Sequence, residues 1–99
     1  MGFRIHIHFE ARKETTSSID WYEIRSEGRG KDFYESVEKT IRRILENPNQ
    51  FPPFNENLKK AKVAGYPYNV FFFEVNELVF IQAVLHHKRS YKKMLKRKF

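Results

Sequence analysis

The chain has 99 residues and a mass of 12.0 kDa, the size of one domain with one core (residues 1–99) and too short for two independently folded units. Its apolar 40% includes ten Phe, five Tyr and one Trp, which argues against a disordered chain, and the absence of cysteine excludes disulfide scaffolds, Cys-ligated zinc and thiol nucleophiles. The formal charge of +7 lies wholly in Lys88–Lys98: seven of the 19 basic residues fall there without an acid, and those before it balance all 12 acids.

Phe3, Ile5, Ile7 and Phe9 alternate with Arg4, His6, His8 and Glu10, the period-two signature of a strand with one buried face. From Ala11 to about Glu27 the pattern is helical, with Thr15, Ile19 and Tyr22 on one face, although Thr15-Thr16-Ser17-Ser18 forms helix weakly and needs support from packing. Gly28 and Gly30 interrupt it. Phe33, Val37, Ile41, Ile44 and Leu45 then lay an apolar stripe along a second helix, which Asn47-Pro48 ends because the residue before proline avoids helical geometry. A short Gly-containing turn between the two predicts an antiparallel helical hairpin.

The stretch from Asn47 to Leu58, with Pro48, Pro52 and Pro53, is a loop. Lys60 and Lys62 alternate with Ala61 and Val63, a strand with its lysines facing water, and Pro67 marks a break. Asn69–Val75 and Leu78–His86 are strands apolar on both faces, hence central, joined by a two-residue Asn76-Glu77 hairpin turn. In the basic segment, Tyr91, Met94 and Leu95 have the spacing to anchor a short helix or a partly ordered tail. The predicted fold class is α+β: β-α-α-β-β-β, an antiparallel sheet packed on one side by the helical hairpin, plus the basic C-terminus. No apolar run exceeds four residues, as at Val70–Phe73, against the roughly 20 of a membrane span, so no membrane association is expected. Arg4, His6, His8 and Glu10 occupy the place where a signal peptide has its apolar block, which predicts a cytoplasmic protein.

Several residues taken together resemble the RelE/ParE superfamily of bacterial toxins, in particular its ParE-like plasmid-stabilisation branch. They are Ala11 after the first strand, Trp21-Tyr22-Glu23 on the first helix, Phe33 opening the second and Asn47-Pro48 closing it. The Tyr66-Pro67-Tyr68 turn, Ala83-Val84 leading to His86, and Arg89 and Arg97 beyond complete the set, which spans nearly the whole chain. The resemblance implies the toxin of a type II toxin–antitoxin system, held inactive by a cognate antitoxin that wraps an extended segment across it. It implies one of two targets: mRNA at the ribosome, cleaved by an endoribonuclease, or DNA gyrase. A homodimer or a toxin–antitoxin hetero-oligomer is the assembly to expect. The chain departs from the family pattern in two places. Lys60, Lys62 and Val63-Ala64-Gly65 stand where an Arg often precedes the aromatic-Pro-Tyr turn, and Tyr91 with Met94 or Leu95 replaces a frequent C-terminal Pro and Trp.

RNA cleavage by 2′-hydroxyl attack needs a proton acceptor, cations for the charge-rich phosphorane and a proton donor for the leaving oxygen. Lys60 and Lys62 share a strand face, while His86 or His87, Arg89 and Tyr91 lie near the end of the last strand. The candidate catalytic set is therefore Lys60, Lys62, His86, Arg89 and Tyr91, with lysines and Arg89 holding phosphate, a His as base or acid and Tyr91 stacking on a base. The candidate nucleic-acid-binding set is Lys88, Arg89, Lys92, Lys93, Lys96 and Arg97. Lysines at period two are equally ordinary on a one-sided sheet, and a run of charge is equally a solvated tail. On that reading the chain is a non-catalytic basic binding module, a toxin relative without toxicity.

His6 and His8 have a spacing that metal sites use, but no third ligand is fixed nearby; they are expected as surface histidines, with no metal and no cofactor. Trp21 and Tyr22 differ by about 100° on a helix, so one packs on the second helix and the other lies near the surface, where an antitoxin could cover it. Glu10 and Glu14 suit the start of a helix. Gly28-Arg29-Gly30 is a turn, since it follows no strand and lacks the Walker spacing.

Overall fold

The computed structural model describes residues 2–99. The elements are β1 (Arg4–Ile7), α1 (Phe9–Arg25), α2 (Arg29–Glu46), a tight helical turn at Pro48–Gln50, β2 (Lys59–Lys62), β3 (Tyr68–Val75), β4 (Leu78–His86) and α3 (Lys92–Leu95). The described strands form one sheet in the order β1-β4-β3-β2, so β3 and β4 are central, as their apolar faces require. Asn76, at a φ of 57°, makes the turn between them. The antiparallel expectation holds for β2, β3 and β4, whereas β1 lies parallel to β4, with Arg4 opposite Leu78 and Ile7 opposite Ile81. Period-two alternation sets the buried face of a strand and leaves its direction open. The long connection through α1 and α2 is of the kind that parallel pairing needs.

β1 stops earlier than its alternation suggests. His8 takes an extended conformation and accepts the Glu10 N–H at Nδ1 (3.0 Å), which caps α1 and starts the helix at Phe9. Phe9 is consequently 65% exposed instead of buried on a strand. His8, expected at the surface, is buried instead: its Nε2 lies 3.0 Å from the Lys98 carbonyl. Because Nδ1 accepts, the ring proton belongs on Nε2, where it donates to that carbonyl.

α2 buries Gly30, Phe33, Val37, Thr40 and Ile44, a three-and-four spacing that turns one stripe to the sheet. α1 buries fully only Ala11. Tyr22 packs among Phe33, Tyr66 and Tyr68, edge-on to Tyr66 and tilted to the other two, while Trp21 stays half exposed, as their angular offset dictates. The helices approach so closely at Gly30 that a Cβ there would sit 2.8 Å from the Ile19 carbonyl oxygen. Glu23 accepts the backbone N–H groups of Gly28 and Gly30, each at 3.0 Å, so α1 supplies the cap that the start of α2 lacks.

Ala61, Val63, Val70, Phe72, Val79, Ile81 and Val84 meet the helices on one face of the sheet. The other face carries Leu58, Phe71, Ala83 and Leu85, and the C-terminal segment covers it through Met94, which is 1% exposed. Tyr91 and Leu95, expected with Met94 as anchors, remain 47% and 42% exposed. A register shift opposes Phe71 to Ala83 and Phe72 to Ile81, which leaves Gln82 without a partner across the ladder. Its amide Nε2 donates to the Met94 carbonyl at 2.8 Å. Phe99 packs against His6, His8, Phe73 and Phe80. Among the described residues, no helix is long and apolar enough to cross a membrane.

Candidate functional site

β2 is fixed by Ala61 and the adjoining Val63, both on the helix side of the sheet, and the alternation sends Lys60 and Lys62 to the opposite face. Lys62 Nζ donates to the Tyr66 carbonyl at 3.3 Å, and Lys60 Nζ lies 5.9 Å from the centre of the Phe54 ring. Both line an open cleft of about 810 Å³ around the β2 edge, together with Arg43 of α2, Tyr66, Asn69 and His87. No carboxylate lines it. Three cations share a wall with no acid to neutralise them, and that combination favours an anionic ligand.

His87 enters this cleft because its backbone N–H donates to the Pro67 carbonyl at 2.8 Å. Its Nδ1 lies 3.2 Å from the same oxygen. A carbonyl only accepts, so the proton belongs on Nδ1 and Nε2 keeps its lone pair. His86 shows the opposite tautomer, since its Nδ1 accepts the Lys88 N–H at 3.1 Å. The two rings stack at 4.7 Å, and His86 also meets Tyr68 edge-on at 5.2 Å. Loss of solvation, followed by repulsion from His87 when that ring is protonated and from the cations Lys88 and Arg89, lowers the His86 pKa below the ordinary histidine value. The shift favours the neutral ring.

The predicted catalytic set is divided between two places. Lys60 and Lys62 lie in the β2-edge cleft, whereas His86 and Arg89 line a second cleft of about 790 Å³, between α1 and the end of β4. Tyr91 stands apart from both, edge-on to Phe54 at 4.9 Å, and Phe54 is its link to Lys60. Arg43 is a cation of the lysine cleft that the sequence did not point to, and His87, the alternative to His86 as acid or base, is the histidine that lines it. The His87-to-Pro67 turn geometry has no sequence signal. Arg43 lay on the polar side of a recognised helix, where nothing distinguished it from Arg42.

Within the predicted nucleic-acid set, Lys88, Arg89, Lys92, Lys93 and Lys96 are exposed, while Arg97 is turned inward. Its guanidinium pairs with both carboxylate oxygens of Glu14 and donates to the Gln82 carbonyl at 3.0 Å, and Glu14 accepts the Val84 N–H at 3.1 Å. β1 pairs with β4 only through Ile81, and the His8 N–H adds one further bond to the Ile81 carbonyl. Glu14 and Arg97 thus supply the donors and acceptors that the rest of the β4 edge would otherwise lack. Among the described residues, no group of three or more His, Asp or Glu side chains could hold a metal ion.

Comparison with known proteins places these features in a family. No curated protein matches the chain. The solved chromosomal ParDE toxin–antitoxin system from P. aeruginosa is similar at 11% identity and a TM-score of 0.73, covering 85% of this chain and 95% of that one. An E. coli RelE toxin with two arginines replaced by alanine, solved in the free state, is similar at 19% identity and a TM-score of 0.72 over 100% of both chains. The family model for the ParE toxin of the type II toxin–antitoxin system parDE matches residues 5–91. The chain belongs to the ParE toxin family of type II toxin–antitoxin systems.

Proposed function

We propose that the chain acts as a toxin on translation, cleaving mRNA at the ribosome, and that a cognate antitoxin holds it inactive. The observation that carries this reading is the acid-free wall of Arg43, Lys60 and Lys62 with the bare Nε2 of His87 beside it. In this scheme His87 Nε2 takes the 2′-hydroxyl proton as the 2′ oxygen bonds to phosphorus. Arg43, Lys60 and Lys62 stabilise the negative charge of the phosphorane. The phosphorus–5′-oxygen bond breaks, and a lysine ammonium protonates the departing oxygen. The antitoxin would cover the apolar groove that runs between α1, α2 and the open edge of β1, where Ile5, Ile7, Ile19, Ile41 and Leu45 meet.

The ParE family match supports a second reading, in which DNA gyrase is the target and no catalytic group is needed. Inducing the chain alone in a bacterial host, with pulse labelling of protein and DNA synthesis, separates the readings. Early loss of protein synthesis that Lys62→Ala or His87→Ala relieves is the expected result. Early DNA damage with intact translation assigns gyrase instead. Harmless expression of folded protein leaves only the non-catalytic binding module.

A further inference from the structure

The second cleft combines the two kinds of group that hold a single-stranded nucleic acid, cations for phosphate and aromatic faces for bases. Lys88, Arg89 and Lys93 line it, and among the described residues none has a carboxylate within ion-pair distance. The two acids on its wall are already engaged. Glu10 pairs with Lys13 at 3.5 Å, and Glu14 holds Arg97. The remaining charge is positive.

Trp21 lines the same cleft and is 50% exposed. The Arg25 guanidinium stacks over one face of the ring at 3.7 Å, and Tyr22 meets it edge-on at 5.1 Å, so the indole is held in place while half of its surface stays open to a base. An exposed indole that served only the core would be buried, and one that served a dry protein interface would be ringed by apolar neighbours. This one stands beside unpaired cations. The two clefts share Pro67 and Tyr68, and the stacked histidines stand between them, with His87 lining one and His86 the other. A strand that leaves the lysine cleft past His87 meets the α1 cleft over these shared residues.

We propose that the α1 cleft is a second nucleotide subsite, which binds single-stranded RNA flanking the cleaved bond, with phosphates on Lys88, Arg89 and Lys93 and a base on Trp21. The inference rests on the RNA reading of the lysine cleft. Trp21 contributes affinity for the flanking nucleotide and takes no part in the chemical step.

Trp21 is the chain's one tryptophan, so its emission reports this cleft alone. The probe is a short fluorescein-labelled oligouridylate with 2′-O-methyl groups, which binds but cannot be cleaved. Expected is saturable quenching of Trp21 emission that follows the anisotropy of the label. Trp21→Leu, with its fold checked by circular dichroism, should weaken binding about tenfold through lost stacking. Joint replacement of Arg89 and Lys93 by alanine should reduce the slope of log affinity against log salt by about 1.4. Unchanged emission over the range in which anisotropy reports binding, with Lys62→Ala abolishing that binding, overturns the subsite and leaves the lysine cleft intact. Absence of binding in both readouts overturns both. Quenching by polyglutamate but not by the oligonucleotide also overturns the proposal and assigns the cleft to an acidic protein.

Discussion

The two faces of the sheet are covered by different means. On one, α2 lays a long periodic stripe over Val63, Val70, Phe72 and Ile81, α1 adds Ala11, Ile19 and Tyr22, and removal of apolar surface from water holds them there. On the other, a segment with one buried side chain, Met94, is held by particular bonds: Gln82 to the Met94 carbonyl, Arg97 to Glu14, and His8 to the Lys98 carbonyl. The first face tolerates any apolar residues of suitable size, whereas the second depends on individual partners. It is also the segment that brings the basic residues to the rim of the α1 cleft.

Substitutions can test that contrast. Phe33→Ala removes a fully buried ring that touches Tyr22, Tyr66 and Tyr68, and should cost about 3–5 kcal/mol in denaturant unfolding. A loss well under that range would mean that the helix face is as loosely held as the other. Arg97→Ala leaves the Glu14 carboxylate, mostly shielded from water, without its partner and should cost about 3 kcal/mol. Glu14→Gln with Arg97→Met should recover much of this, because the unpaired charge is then gone. If the double variant is no better than the single, the pair acts through geometry at the β4 edge and not through charge. Removing the N-cap acceptor with His8→Ala should cost about 1 kcal/mol, and hydrogen exchange should report the loss in the first turn of α1 and at the bonded Lys96 and Arg97 amides together.

The same contrast explains what could be read in the sequence. α2, β3 and β4 were legible because a repeat over many residues reports which side is buried, and their bounds fall close to those expected. β1 was misjudged at its end because the alternation continues through Phe9, while the His8 cap that ends the strand is a single side-chain bond. Its parallel direction has no periodic trace at all. In the site, Lys60 and Lys62 were found together because strand alternation places them so. Arg97 was grouped with its basic neighbours by composition, yet Glu14, 83 residues away, turns it inward. No local pattern records a partner at that separation. The choice between His86 and His87 was open for the same reason, since the Pro67 carbonyl that brings His87 to the lysine cleft lies 20 residues away.

The smallest expected effect lies on the histidine pair between the clefts. The His86 pKa is lowered in the folded protein, first by lost solvation and then by His87, Lys88 and Arg89. Between that lowered value and the ordinary value of about 6.5, the unfolded chain binds more protons than the folded one, so stability rises with pH through this window. The contribution of His86 is present above the unfolded value and is lost as pH falls toward the folded one. Since the ring is partly open to solvent, the effect is modest. His86→Asn keeps an acceptor for the Lys88 N–H and removes the titration, so its urea midpoint should fall less than that of the parent between pH 7 and pH 5. Equal pH slopes in the two proteins would mean that neither lost solvation nor the neighbouring cations shift His86 in the folded protein.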